Sequence, residues 1–327
     1  MSIKGLAAAV SWLFWGRVKH TLRRYRNVKE LGNALLRGEE YPNPSDHLVM
    51  ERRFPLDTEG RQEIEVKTCE ATLHRLLDQV QRSWKKLGEE VPHWSVITSN
   101  QFKPDQFDAH EEEFWRSGEG DVQRFFIWAA RNSIPVDPGW TCLEYGCGTG
   151  RLTAVLAQRF SKVIACDVSA PHMALAARKL KDQGNTNVEF VPVNSLAALD
   201  SLPSVDLIFS VIVLQHNPPP VIAALLDRLL TRLRPGGVAY FQVPTRARGY
   251  TFKVDDYLRD RKDKLEMEMH VIPQKDVFEI LRRADCELIE VQPDNMTGSL
   301  DFISNTFLVR KLSAGGGEVP AADFRIQ

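Results

Sequence analysis

Leu143-Glu144-Tyr145-Gly146-Cys147-Gly148-Thr149-Gly150 decides how this chain is read. An apolar run ends in three alternating glycines, and a helix is expected to start near Arg151. Glycine tolerates a left-handed backbone and lets a ligand approach without meeting a Cβ. Asp167, seventeen residues past Gly150, closes a second apolar run, Val163-Ile164-Ala165-Cys166. An acidic side chain at the tip of the next strand is placed to bind the two hydroxyls of an adenosine ribose. The pattern predicts a nucleoside-cofactor site in an open α/β sheet.

Glycine spacing separates two kinds of cofactor. A dinucleotide fingerprint is G-x-G-x-x-G, with helix-end amides facing a pyrophosphate. Here the spacing is G-x-G-x-G, and Glu144 stands two residues before the first glycine. A carboxylate at that place repels a pyrophosphate but suits a ligand carrying an ammonium and a sulfonium. A nicotinamide oxidoreductase is disfavoured for the same reason.

The stretch from Glu144 to Arg151 resembles the first motif of class I S-adenosylmethionine-dependent methyltransferases, and four more motifs follow in order over roughly residues 140–311. Ala165-Cys166-Asp167-Val168-Ser169 resembles the ribose-binding strand end. Phe190-Val191-Pro192-Val193-Asn194-Ser195 resembles the third strand and adenine-contacting loop, with Asn194 where the family often has Asp. Val205-Asp206-Leu207-Ile208-Phe209-Ser210, with Val211 after it, resembles the fourth strand. Leu233-Arg234-Pro235-Gly236-Gly237 resembles the turn into the fifth. The resemblance implies S-adenosyl-L-methionine as cofactor, with Glu144, Gly146, Cys147, Gly148, Gly150, Asp167, Val168, Asn194, Ser195, Ser210 and Val211 around it. It implies a Rossmann-like, seven-stranded, mostly parallel sheet with an antiparallel last strand, beside a mainly helical N-terminal extension.

Alternating elements after the glycines support a parallel sheet. Helices are expected over 153–160, 171–181, 219–233 and 275–284, and strands over 163–167, 188–193, 207–213, 238–243, 286–291 and 302–309. The chain divides into an amphipathic helix and linker (1–60), a helical extension (61–135), the methyltransferase-like domain (136–312) and a tail (313–327). Cys69, Leu73, Leu76, Leu77, Val80, Trp84 and Leu87 predict an amphipathic helix over 62–87. All seven tryptophans precede the glycine motif, which makes the extension apolar enough to pack on the domain. Trp84-x-x-Leu87-Gly88 followed by Pro92-His93-Trp94-Ser95 resembles a segment seen ahead of the Rossmann-like domain in some bacterial methyltransferases.

The chain has 327 residues and a formal net charge of -1, without the basic surplus of a dedicated nucleic-acid binder. Five scattered cysteines with no C-x-x-C pair support neither a zinc knuckle nor a disulfide framework, and suit a reducing cytosol. Residues 5–26 carry an apolar run with Trp12, Phe14 and Trp15, then Arg17, Lys19, Arg23, Arg24 and Arg26. The run is too short to span a bilayer. Two readings stay open, a helix on an anionic membrane surface and a helix docked on protein or an oligomer partner.

Methyl transfer from a sulfonium needs alignment and exclusion of water, and a base only when the acceptor keeps its proton at neutral pH. Leu214-Gln215-His216-Asn217 resembles the L-Q-H element of small-molecule methyltransferases, making His216 the first candidate for a base or orienting group. Capping of the next helix is the alternative. His270 is the second candidate. It ends a run in which Glu266, Glu268 and His270 share one face if the run is a strand. A metal trio there is less expected than a solvated face, and no metal is assigned. Tyr250, Phe252 and Tyr257 are candidates for an acceptor pocket within 246–272, and Phe114, Arg116 and Ser117 for closing over the methionine end. Asn217-Pro218-Pro219-Pro220 sits too late after the fourth strand, and lacks the aromatic, for a base-methylating motif; proline at a helix start explains it. The expected activity is methyl transfer to an oxygen of a small molecule, glycan or lipid-linked intermediate. The alternative is a non-catalytic cofactor-binding scaffold with the same fold.

Overall fold

The computed structural model describes residues 60–260 and 267–313. The amphipathic stretch expected over 5–26, Glu266 and the tail beyond 313 lie outside them.

Three helices come first: α1 (Glu70–Glu90), α2 (Pro92–Val96) and α3 (Phe107–Arg131). The sheet then builds through β1 (Thr141–Tyr145), α4 (Thr153–Ala157), β2 (Lys162–Asp167), α5 (Ala170–Asp182), β3 (Val188–Pro192), α6 (Leu196–Asp200) and β4 (Val205–Ser210). It closes through α7 (Pro219–Thr231), β5 (Leu233–Ala247), α8 (Val254–Asp260), α9 (Gln274–Arg283), β6 (Cys286–Asp294) and β7 (Phe302–Lys311). The seven strands lie in the order β3-β2-β1-β4-β5-β7-β6. β1 through β5 pair in parallel, and β7 runs antiparallel to both β5 and β6. This is the expected Rossmann-like sheet.

β4 is buried at every position and β1 at four of its five, as expected for strands covered on both faces. α7 presents Val221, Ile222, Leu225, Leu226, Leu229 and Leu230 to one face at helical spacing. Leu143, Ile164, Ile208 and Phe241 complete that core. On the other face Phe125, Trp128 and Leu156 meet Cys142, Phe209 and Tyr240. At the far end of β1, Asp206 accepts a hydrogen bond from the Thr141 amide at 2.7 Å. Pro219 opens α7, in agreement with the helix-start reading of the prolines.

Four local expectations need correction. The helix expected from residue 62 starts at Glu70. Before it, half-buried Gln62, Ile64, Val66 and Thr68 alternate with exposed neighbours. That is a period of two, and Ile64 makes a parallel bridge to Phe252. The helix expected over 153–160, α4, ends at Ala157. β4 ends at Ser210 rather than at Val213, because Ile212 takes a left-handed φ of 59°. Residues 267–270 form no strand; a backbone bond from the His270 amide to the Gln215 carbonyl, 2.7 Å, holds this stretch against the end of β4 instead. Among the described residues, no helix is long and apolar enough to cross a membrane.

Candidate functional site

The end of β1 folds back on β2. The amides of Gly146 and Cys147 both reach the Cys166 carbonyl, at 2.7 and 3.0 Å. Gly146 sits at φ 85°, and a Cβ there would lie 2.3 Å from a Val213 methyl. No other residue fits that bend without moving the loop after β4. Beside the turn, the Gly148 amide donates to Asp167 Oδ2 and the Ser169 amide to Oδ1, both at 2.8 Å. Asp167 is 8% exposed, and burial pushes its carboxyl up while the His172 ring and these amides pull the other way. The ribose-side carboxylate is thus aimed by the glycine turn itself.

Glu144 carries a second electrostatic signal. It is 1% exposed, and neither carboxylate oxygen has a hydrogen-bond partner. Burial raises its carboxyl to about 7, with the Thr153 hydroxyl and the Arg151 guanidinium offsetting part of the effect and Asp167 adding to it. Arg151 is itself buried and is held by α3 through Asp121 at 2.8 Å and the Ser117 hydroxyl at 3.3 Å. Its Nε has no partner. An unpaired buried carboxylate is costly, so Glu144, beside an Arg151 that is paired to Asp121 but keeps a free Nε–H, marks a place for a charged ligand at the cleft.

The cleft at this end of the sheet is lined by Glu144, Gly146, Cys147, Gly148, Asp167, Val168 and Val211, all expected from the sequence. It is also lined by Val80 and Trp84 of α1, Ser95 and Val96 of α2, and Arg151, His172, Val213 and Asn217. These were not foreseen as cofactor neighbours. Arg151 directly follows the third glycine, and the two cap helices carry the Trp84 and Pro92 motifs, so faint signals were present.

Other predicted residues stand outside the cleft lining. Gly150 faces α5, where a Cβ would lie 2.9 Å from a Leu180 methyl. Ser210 donates its hydroxyl to the Tyr145 carbonyl at 2.9 Å. Asn194 is exposed, and Ser195 precedes α6. Phe114 is wholly buried against Phe102, Phe107 and His93. Arg116 is exposed beside Glu112. Of those three helix candidates, only Ser117 reaches the site, through Arg151.

The two histidines join one polar cluster beyond Trp84, whose ring meets His216 edge-on at 5.2 Å. His216 Nδ1 lies 2.9 Å from the Glu268 carbonyl, and Nε2 lies 3.1 Å from the Gln215 amide nitrogen. The carbonyl can only accept, so Nδ1 carries the proton and Nε2 receives the Gln215 N–H. Burial holds this ring down to about 4, so it is neutral with both nitrogens engaged. His270 lies 2.7 Å from the Tyr250 hydroxyl and 3.2 Å from Glu268 Oε2, which also accepts from Tyr257 at 2.6 Å. Phe252 packs edge-on against the same ring. Burial pushes the Tyr250 phenol up.

A methyltransferase domain model matches residues 142–237. Over 113 residues, 34% of this chain, the sequence is 39% identical to a trans-aconitate 2-methyltransferase of Azoarcus sp.. Over 118 residues, 36% of this chain, it is 27% identical to a ubiquinone biosynthesis O-methyltransferase of Pseudomonas fluorescens. The matched stretches span 42% and 50% of those relatives' own lengths. Magnesium protoporphyrin IX methyltransferase from Synechocystis, at 17% identity, shares the fold with a TM-score of 0.51 over 71% of this chain and 98% of its own. Strand order, the bend at Gly146 and the methyltransferase domain matched over residues 142–237 converge on the fold of the class I S-adenosylmethionine-dependent methyltransferases.

Proposed function

We propose that this protein binds S-adenosyl-L-methionine in the cleft above β1 and β2 and methylates an oxygen of a small organic molecule. The observation that carries the reading is Glu144, buried with both oxygens unpartnered beside a side-chain-free turn. A cationic ligand answers that charge, and the turn leaves room for it. The orphaned Arg151 Nε fits the cofactor's own carboxylate. Asp167 and Val168 serve the ribose, Gly146, Cys147 and Gly148 the turn, and Val211 the wall, with Gly150 and Ser210 supporting from behind. Asn194 and Ser195 stand at the adenine side as the resemblance implies.

The cofactor supplies an activated methyl group on a sulfonium; the protein supplies alignment and dryness. Val80, Trp84 and Val96 cover the cleft with apolar surface. His216 orients, because its neutral ring is already engaged at both nitrogens. His270 remains the second candidate: both its nitrogens are engaged as well, by the Tyr250 hydroxyl and Glu268 Oε2, and it serves as a base where a hydroxyl acceptor displaces Tyr250. Small-molecule acceptors accord with the names of the relatives, trans-aconitate among them; a glycan or lipid-linked acceptor is the wider class.

Calorimetric titration with S-adenosylmethionine and its demethylated product tests the cofactor. Saturable binding weakened at least tenfold in Asp167→Ala is expected, equivalent to about 1.4 kcal/mol or more. Absence of binding to both compounds in the wild type would sink the proposal. A methyl-labelled assay over small carboxylic acids and phenols then locates the acceptor.

A further inference from the structure

His172 is the buried titratable group that this chemistry leaves without a role. It stands in the first turn of α5, 1% exposed. Its Nε2 lies 2.8 Å from the Ser95 hydroxyl and 3.2 Å from the Pro92 carbonyl, both in α2. Its Nδ1 lies 2.7 Å from the Ser169 hydroxyl, whose oxygen also stands 3.0 Å from the Trp84 carbonyl of α1. The Trp84 ring itself sits 6.0 Å from the imidazole. Nε2 therefore reaches α2 directly, and Nδ1 meets a serine that also lies against α1.

Proton counting gives the bonds a direction. Ser95 donates its hydrogen to the Pro92 carbonyl at 2.9 Å, so its oxygen accepts from Nε2–H. Ser169 has one hydrogen for two acceptors, Nδ1 and the Trp84 carbonyl. Its backbone amide, meanwhile, holds Asp167 Oδ1. The ring is thus continuous with the ribose-side carboxylate through Ser169. The approach is also close by design of the sequence: a Cβ on Gly88 would lie 2.6 Å from Nδ1 and 2.8 Å from the Ser169 oxygen. Gly88 and Ser95 belong to the Trp84 and Pro92 motifs, whose spacing this contact accounts for.

We infer that His172 is a positioning residue that latches α1 and α2 over the cleft and ties their closure to the Asp167 edge. Packing alone would need neither a directed bond from the ring to α2 nor a serine shared between the ring and α1. Released from the ring, Trp84, Ser95 and Val96 lose their fixed place over the turn. The effect on ligand retention rests on the cofactor reading above; the latch itself does not.

The full-length protein, His172→Ala, Ser95→Ala and His172→Gln are compared by two measurements. Hydrogen exchange over residues 84–97 is followed without ligand, and dissociation of S-adenosylhomocysteine is followed by tryptophan fluorescence. His172→Ala is expected to lose protection over 84–97 and to release the ligand about tenfold faster, with Ser95→Ala about threefold faster, as loss of directed hydrogen bonds implies. His172→Gln, which keeps a donor for Ser95, restores most of the protection in the Pro92 segment. Wild-type exchange and dissociation in both His172→Ala and Ser95→Ala would overturn the latch. Should wild type bind no S-adenosylhomocysteine, the cofactor reading fails, and exchange in the ligand-free proteins still decides: lost protection supports the latch, equal protection overturns it. Ser95→Ala removes one hydroxyl and keeps the test open if His172→Ala does not fold.

Discussion

Glu144 shows how one side chain can cost stability and serve binding. Its folded carboxyl is raised from 4.5 to about 7, so the folded state holds a proton that the unfolded chain has released. Stability falls as pH rises through that window; the cost is absent below about 4.5 and complete above about 7. Glu144→Gln is expected to stabilise the ligand-free protein by about 1–3 kcal/mol at pH 8 and to change it little near pH 5. Urea unfolding at the two pH values checks this. A cationic ligand reverses the preference, so binding near pH 6 should release a proton in wild type but not in the glutamine variant. Calorimetry in buffers of different ionisation enthalpy reads that proton, and identical values for both proteins would contradict the assignment. Glu144 was legible from its place before the glycines. Its burial and its isolation were not, because they depend on α3 holding Arg151 from a distant part of the chain.

At the scale of elements, the exit from β4 is set by a chain of side-chain amides. Gln242 of β5 is fully buried; its Oε1 accepts from the Ile212 amide at 2.9 Å, and its Nε2 donates to Gln215 at 3.0 Å and to Ser304 of β7 at 2.6 Å. Gln215 in turn fixes the tautomer of His216. This network holds Ile212 at its left-handed φ, an unusual conformation for a β-branched residue. Gln242→Leu leaves three buried partners unmatched and should cost about 2–4 kcal/mol. S-adenosylhomocysteine affinity should fall along with turnover, because the disturbed loop touches the glycine turn through Val213 and the polar cluster through Gln215. Denaturation midpoints, kcat and ligand Kd check these effects. Sequence reading identified Gln215 and His216 as an element but extended β4 to Val213, since apolar periodicity cannot register a backbone reversal imposed by a neighbouring strand.

Across the whole molecule, the sheet is a wall between two apolar layers, and the site is the rim where β1, β2 and β4 end. Leu143, 0% exposed in β1, is packed in the layer that includes Ile164 and Ile208. Leu143→Ala should cost about 2–5 kcal/mol, seen as a lower urea midpoint with the slope preserved. The order of strands and helices, the glycine bend, Asp167 and Glu144 follow from periodicity, spacing and residue chemistry, which are local properties of a linear chain. The cap, the latch at His172, the placement of Arg151 and the neutral, fully engaged His216 come from pairs separated by tens of residues: 77 for Ser95 with His172, 52 for His216 with Glu268. Local sequence carries no signal for such pairs, because packing creates them only once the sheet has brought the ends of its strands together.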